Sequence, residues 1–319
     1  MKVRTSWLVA WIASLGLLMG CGMPPELTEQ TDPVSSDKEY KEAVPATVSL
    51  EMRVPQQPSN STPTSKKTAE FYLTTYKTSK SINSGVRHHL DLIENLVSRR
   101  PSGRFANKRI WGPHTPALAP FTYRFIVERK GLGRYSYLLQ AKRKGAADST
   151  YVNVFAGHIQ RGLLPNRGAG EIMVDFDKAR QLDPAVKETG QVHVKFDTRN
   201  NQVKLKAAFK GATSDNGEVT DAVYEYSLNA KGQGEMKFAR KIDIDKGKAG
   251  RTAQEIGAIH SRWNATGAGR ANVAFAGGDL GKNKVLMTEC WDSLFYRTYY
   301  ADNVKFKPQE GSASTCVYK

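Results

Sequence analysis

Six histidines are the first residues to ask for acid–base or metal chemistry: His88, His89, His114, His158, His193 and His260. They are scattered along the chain. His88 and His89 adjoin in a helical stretch, so their side chains project about 100° apart and make a poor start for a shared metal. None stands at zinc spacing from a cysteine. Asp175, Asp177 and Asp183 cluster after a predicted strand, where calcium is conceivable, but the segment lacks the glycine and closing glutamate of a helix–loop–helix calcium site. Asp215-Asn-Gly217 reads as a hairpin turn rather than a ligand set. Gly131-Leu-Gly133 and Gly267-Ala-Gly269 lack the spacing and context of a nucleotide fingerprint. No Gly-x-Ser-x-Gly elbow occurs. The expectation is a chain with no catalytic residue, no metal site and no cofactor.

The remaining reactive residue type is cysteine, at positions 21, 290 and 316. Cys21 ends a segment with its own character. Lys2 and Arg4 give a positive start, and an apolar run from Trp7 to Met19 follows. That run falls short of the ~20 apolar residues a spanning helix needs and has the length and flanks of a secretory signal peptide. Its ending, Leu18-Met19-Gly20-Cys21, resembles the lipobox of bacterial lipoproteins, with Met19 where Ala or Ser is commoner. The resemblance implies cleavage before Cys21, a diacylglycerol on its sulfur and, in many bacteria, an acylated new N-terminus (a palmitate-type anchor). Several acyl chains at about 0.8 kcal/mol per buried methylene hold a protein on a membrane almost permanently. Gly22, where an aspartate would favour inner-membrane retention, leans toward the outer membrane. With Cys21 lipidated in an exported protein, Cys290 and Cys316 are left as one pair, and in an oxidising compartment such pairs join.

Removing residues 1–20 takes away Lys2 and Arg4 and no acid, leaving 45 Lys and Arg against 31 Asp and Glu, a charge of +14. A basic balance of this size bears on partners, not on fold. Beyond the membrane reached through the anchor, it suits an anionic envelope polymer or lipid, and it also serves solubility. No specific nucleic acid is called for.

The elements follow from composition and period. Residues 21–67 carry seven prolines, from Pro24 to Pro63, in a Ser/Thr/Gln/Glu background that cannot bury enough apolar surface to offset its ordering entropy. They read as a disordered tether, with one short extended piece near Thr47–Val54 able to pair. Residues 68–319 read as a single β-rich domain opened by a helix. Val86, Leu90, Ile93 and Val97 mark one helical face, Ser84 offers an N-cap, and Pro101-Ser-Gly103 stops the run. Ala69-Glu-Phe-Tyr-Leu73 offers an earlier helical turn.

From Phe121 the apolar period becomes two. Phe121, Tyr123, Phe125 and Val127 alternate with partners of other character, as do Tyr135, Tyr137, Leu139 and Ala141. Ten further runs follow between Tyr151 and Tyr300, separated by turn residues such as Thr198-Arg-Asn-Asn201 and Ala230-Lys-Gly-Gln-Gly234. Short strands joined by short turns predict an antiparallel meander. About a dozen strands exceed one flat sheet, so the expected class is mainly β: a strongly curved sheet, open barrel or sandwich, with the helix packed on it. A membrane-spanning barrel would put Val203, Leu205, Ala207 and Phe209 outward; the simpler geometry buries them and leaves Lys204 and Lys206 in water.

One block stands out: Trp263-Asn-Ala-Thr-Gly267-Ala-Gly-Arg270-Ala-Asn-Val273, continuing to Glu289-Cys290-Trp291-Asp292. With Cys316 it resembles the C-terminal part of a group of uncharacterised bacterial lipoproteins, which brings no activity with it. Arg270 and Asp279 are a candidate turn-bracing pair or binding rim. The function expected is a non-enzymatic binding or structural module of the cell envelope. The alternative is a carrier of hydrophobic ligands in a half-barrel, its cavity lined by Phe121, Tyr123, Tyr135, Phe196 and Phe209. An envelope-polymer hydrolase comes third, since no motif asks for it.

Overall fold

The protein is mainly β. The structure, a computed structural model, describes residues 36–56, 66–213, 219–245 and 248–319; Cys21 and Asp215-Asn-Gly217 lie outside them. Fifteen strands pair in strict chain order as one antiparallel meander whose edges are the first and last strands. Each of the twelve predicted runs coincides with a strand. In β3 (Phe121–Gly131) and β4 (Arg134–Arg143), the alternation puts Phe121, Tyr123, Phe125, Val127, Tyr135, Tyr137, Leu139 and Ala141 on the buried side. In β8 (Val203–Thr213), Val203, Leu205 and Ala207 are covered while Lys204 and Lys206 are exposed. Apolar rows are the covered ones.

Three strands were not expected: β1 (Gly103–Phe105), β2 (Lys108–His114) and β15 (Glu310–Gly311). Pro101-Ser-Gly103 read as the stop of the helix, and Pro113 adds a residue that cannot donate to a ladder. The chain accommodates Pro113 by a shift of register between Trp111 and His114 against β3.

The described residues group into two compact units. The first comprises residues 36–49, 86–199, 209–213 and 219; the second comprises residues 50–56, 66–85, 200–208, 220–245 and 248–319. The helix is longer than its apolar stripe suggested. It is one 29-residue helix, α2 (Glu70–Ser98), so position 84 lies in its interior rather than at its start. Its start is fixed from outside: the N–H groups of Glu70 and Phe71 donate to the Glu289 carboxylate at 3.0 and 2.5 Å. A carboxylate on a helix N-terminus satisfies orphan donors and complements the dipole.

In the first unit the segment read as tether is partly structural. Residues 37–42 form α1 (Asp37–Glu42), and Tyr40, Ala43 and Val44 are buried. Asp37 accepts hydrogen bonds from Arg104 Nε at 3.2 Å and Arg109 Nε at 3.0 Å. Its carboxyl is lowered even though desolvation opposes this, because both guanidiniums hold the charge. Glu42 accepts from Arg161 at 2.8 Å, and Asn166 donates to the carbonyls of Lys41 and Val44 at 3.1 and 2.7 Å. From the end of α2, Leu90, Ile93 and Val97 bury as their spacing required. The core beneath β2 to β5 (Val152–Arg161) is aromatic, with Trp111, Phe125, Tyr137 and Phe155 in successive ring contact at 6.1, 6.5 and 6.0 Å.

In the second unit, part of the short piece read as able to pair is held by side chains rather than by a strand. Met52 N–H donates to the Asn83 side chain at 2.9 Å, and Arg53 N–H donates to Tyr226 Oη at 2.7 Å. Tyr72 of α2 stacks on Phe295 at 4.3 Å and leans on Trp291 at 5.9 Å. Glycines make room for the tryptophans of the distinctive C-terminal block. A Cβ on Gly234 would lie 2.2 Å from the Trp263 ring, and one on Gly269 would lie 2.4 Å from both Trp291 and the Arg262 carbonyl. Trp291 donates Nε1–H to the Gly267 carbonyl at 2.8 Å, so its polar edge is satisfied inside the core.

Cys290, fully buried, and Cys316 are joined as a disulfide closing 26 residues. The tail it fastens lies over neighbouring strands: Arg262 and Arg270 donate to the carbonyls of Lys319 and Tyr318 at 3.0 and 3.1 Å. Replacing both cysteines by alanine is expected to lower stability by roughly 3 kcal/mol, seen as an earlier denaturant midpoint. An unchanged midpoint would mean that the tail contributes nothing.

Candidate functional site

Among the described residues one group of carboxylates converges as metal ligands do: Asp243, Asp245 and Glu255. All three belong to the second unit. Strand β10 (Gly234–Ile242) pairs with β11 (Glu255–Trp263) so that Ile242 faces Glu255, which places the two aspartates in the turn beyond. The Asp243 carboxylate accepts from Asp245 N–H at 3.2 Å, a local bond that aspartate makes readily in turns. Glu255 is fully buried, with its two oxygens accepting from Ile244 N–H at 3.1 Å and Asp279 N–H at 3.0 Å. Asp279 comes from the 3-10 turn Gly278–Leu280, and its own carboxylate accepts from Ala253 N–H at 2.9 Å. Two turns are thus clasped around one buried glutamate.

One carboxylate oxygen of each residue lies within 4.8 Å of the others. Opposing them is Arg251, half exposed, which donates to Asp245 Oδ2 at 2.9 Å. That hydrogen bond raises the guanidinium pKa above its ordinary value, with smaller contributions from Asp279 and Glu255. Asp245 Oδ1 is sealed from solvent and accepts no hydrogen bond from the described residues.

The acids considered in the sequence are used elsewhere. Asp175 caps α3 (Phe176–Leu182) by accepting from Lys178 N–H, Asp177 accepts from Gly190 N–H and Asp183 from Ala185 N–H. Arg270 and Asp279 are not a pair, since Arg270 bonds Asn272 and the Tyr318 carbonyl. The sheet does unite two of the scattered histidines. His193 Nε2 lies 3.0 Å and His158 Nδ1 3.6 Å from opposite oxygens of Glu171, in a solvent-facing cluster joined by Lys195 at 3.9 Å. His260 meets Glu235 at 2.5 Å in the neighbouring strand. His114 is held below its usual pKa by burial, helped by Arg99. The pairs at Glu171 and Glu235 are braces on half-exposed faces, of modest individual worth.

The second unit holds one further charged centre. Arg297, 3 % exposed at its side chain, donates to Glu289 at 2.6 Å and lies 3.2 and 3.3 Å from Glu70 and Glu310. It fixes the mouth of α2, its donors turned to three carboxylates. Lys307 holds the Glu70 carboxyl below its ordinary range by hydrogen bonding, with Arg297 assisting.

Sequence reasoning missed the Asp243, Asp245 and Glu255 group. The available signal was the Asp-x-Asp pair followed, twelve positions on, by Glu255 at the start of a strand. Comparison with protein-family models, curated proteins and solved structures finds no match for this chain.

Proposed function

We propose that this chain is a lipoprotein of the cell envelope, anchored through Cys21, with the outer membrane favoured, and that its β-rich body is a non-enzymatic binding or structural module. The observation that carries the reading is the pairing of Cys290 with Cys316, because structural disulfides persist in oxidising compartments outside the cytosol. It leaves Cys21, inside the lipobox-like Leu18-Met19-Gly20-Cys21, as the one cysteine available to lipid. Exposed Lys195, Lys204 and Lys206 on β7 (Gln191–Asp197) and β8, within a mature charge of +14, suit contact with an anionic envelope polymer or lipid.

The module reading is favoured over a carrier by the packing of the candidate lining. Phe121 and Tyr123 contact each other at 6.4 Å, and Tyr135 meets Tyr40 edge-on at 5.8 Å. Metabolic labelling of the full-length chain with a clickable palmitate analogue tests the anchor. Label is expected on the wild type and absent from Cys21→Ser, which should move to the aqueous phase of a detergent partition. A labelled Cys21→Ser protein, or an unlabelled and aqueous wild type, would sink the proposal.

A further inference from the structure

The geometry points to a divalent-cation site at the β10–β11 turn, formed by Asp243, Asp245 and Glu255 and suited to calcium. Two independent observations lead there. The first is convergence: three carboxylates offer oxygens within 4.8 Å of one another. Unit charges at such separations repel strongly in a partly buried site, where effective screening is well below that of water. Arg251 bonds one of them, so the cluster is left with excess negative charge in a protein otherwise strongly basic.

The second observation concerns Asp245 alone. Its side chain is 9 % exposed, and its Oδ1 is completely sealed yet accepts no hydrogen bond from any described residue. A turn built only as a brace would satisfy a buried acceptor, because leaving one bare costs about 1–3 kcal/mol, more when it is charged. The rest of this turn obeys that rule. Asp243, Glu255 and Asp279 each receive a backbone N–H. The Asp245 oxygen that receives nothing belongs to a carboxylate already aimed at two others, and a cation satisfies all three at once.

The donor set names the class of ion. Every ligand is a carboxylate oxygen, with no histidine or thiolate in the group, which excludes the usual zinc arrangement and selects hard cations. Calcium takes six to eight oxygens in forgiving geometry, and magnesium demands a near-ideal octahedron. Carboxylates already turned by backbone hydrogen bonds suit the more tolerant ion, with water completing the shell. The Asp-x-Asp pair with Glu255 twelve positions later is one residue longer than a helix–loop–helix calcium loop, and Glu255 opens a strand, so this is a different frame for the same chemistry. The ion would clamp the β10–β11 turn onto the 3-10 turn at Gly278–Leu280. The inference does not depend on Cys21 carrying lipid.

The test is equilibrium dialysis of the full-length chain in detergent against radioactive calcium, with magnesium as competitor. Expected is about one calcium per chain with a Kd of roughly 0.1–1 mM, the range of extracellular modules, and weaker competition by magnesium. Calcium in excess should raise Tm by about 3 °C over chelator. Asp245→Asn should weaken binding about tenfold or more and abolish the Tm rise; Asp243→Asn serves if the first variant does not fold. Folded wild type that retains no calcium at ~5 mM, well above that range, would overturn the site. So would unchanged affinity in both variants, which would place the ion elsewhere.

Discussion

Arg297→Met is expected to destabilise the second unit by about 3–5 kcal/mol, because it strands Glu289 as a buried carboxylate without its cation. Glu289 is fully buried and Arg297 nearly so, and a pair of that kind is worth less than the cost of breaking it. The loss also reaches α2, whose first two N–H groups Glu289 holds. Burial already pushes the Glu289 carboxyl above its usual range, against the pull of Phe71 N–H and Arg297, and removing the guanidinium pushes it further. A carboxyl raised on folding costs stability as pH rises from its unfolded value, near 4.5, through its folded value, and restores it as pH falls. The variant should therefore lose less at pH 5 than at pH 8. Denaturant melts followed by tryptophan fluorescence at the two pH values check this. An equal loss at both would mean that the cost lies in packing rather than charge. Glu289→Gln, which keeps an acceptor for the helix and leaves Arg297 two other carboxylates, should cost less than Arg297→Met.

The twelve strands between β2 and β15 were legible because each obeys a local rule. Tyr135, Tyr137, Leu139 and Ala141 bury as their alternation demands, and so do Val203, Leu205 and Ala207 between lysines. The helix was legible only where its apolar stripe is dense. Its first half buries Tyr72, Thr75 and Ser79, a face too polar to stand out, and Thr75 is held by Ser261 at 2.5 Å across a distance no window of sequence spans. Its start is decided by Glu289, more than two hundred residues away. The carboxylate group was hidden for a related reason. Asp243 and Asp245 look like ordinary turn residues, and Glu255 like the polar edge of a strand, until the ladder Ile242↔Glu255 brings them together. The arginine clasp on Glu289 was equally unreadable, because Glu70, Glu289, Arg297 and Glu310 come from four separate elements.

The tether is where composition misled most, and it gives the other large expected effect. A chain beginning at Ser36 should keep the first unit intact, whereas one beginning at Leu50 should lose on the order of 5 kcal/mol or more there. Residues 36–49 contain few apolar groups, but those few are placed where they count: Tyr40 and Ala43 are fully buried and Val44 nearly so. The charged residues between them are also spent inward. Asp37 is bonded by the buried Arg109, whose guanidinium also lies 4.5 Å from the Tyr40 ring, and Glu39 accepts from the Tyr135 hydroxyl. Thr47 adds its N–H to Glu94 and its hydroxyl to Asp91 at the end of α2, at 2.6 and 2.9 Å. A segment with this sequence looks solvated because its polar residues outnumber its apolar ones, yet their partners are already waiting on β1, β2 and β4. Deleting it exposes the aromatic wall and takes the Asp37 carboxylate away from the buried Arg109, a cost that a disordered leader would never incur. Comparing the two truncations by hydrogen exchange on β2 to β4 tests this. Equal protection in both would mean that residues 36–49 are a tether after all, and loss confined to the shorter chain places the start of the folded body at α1.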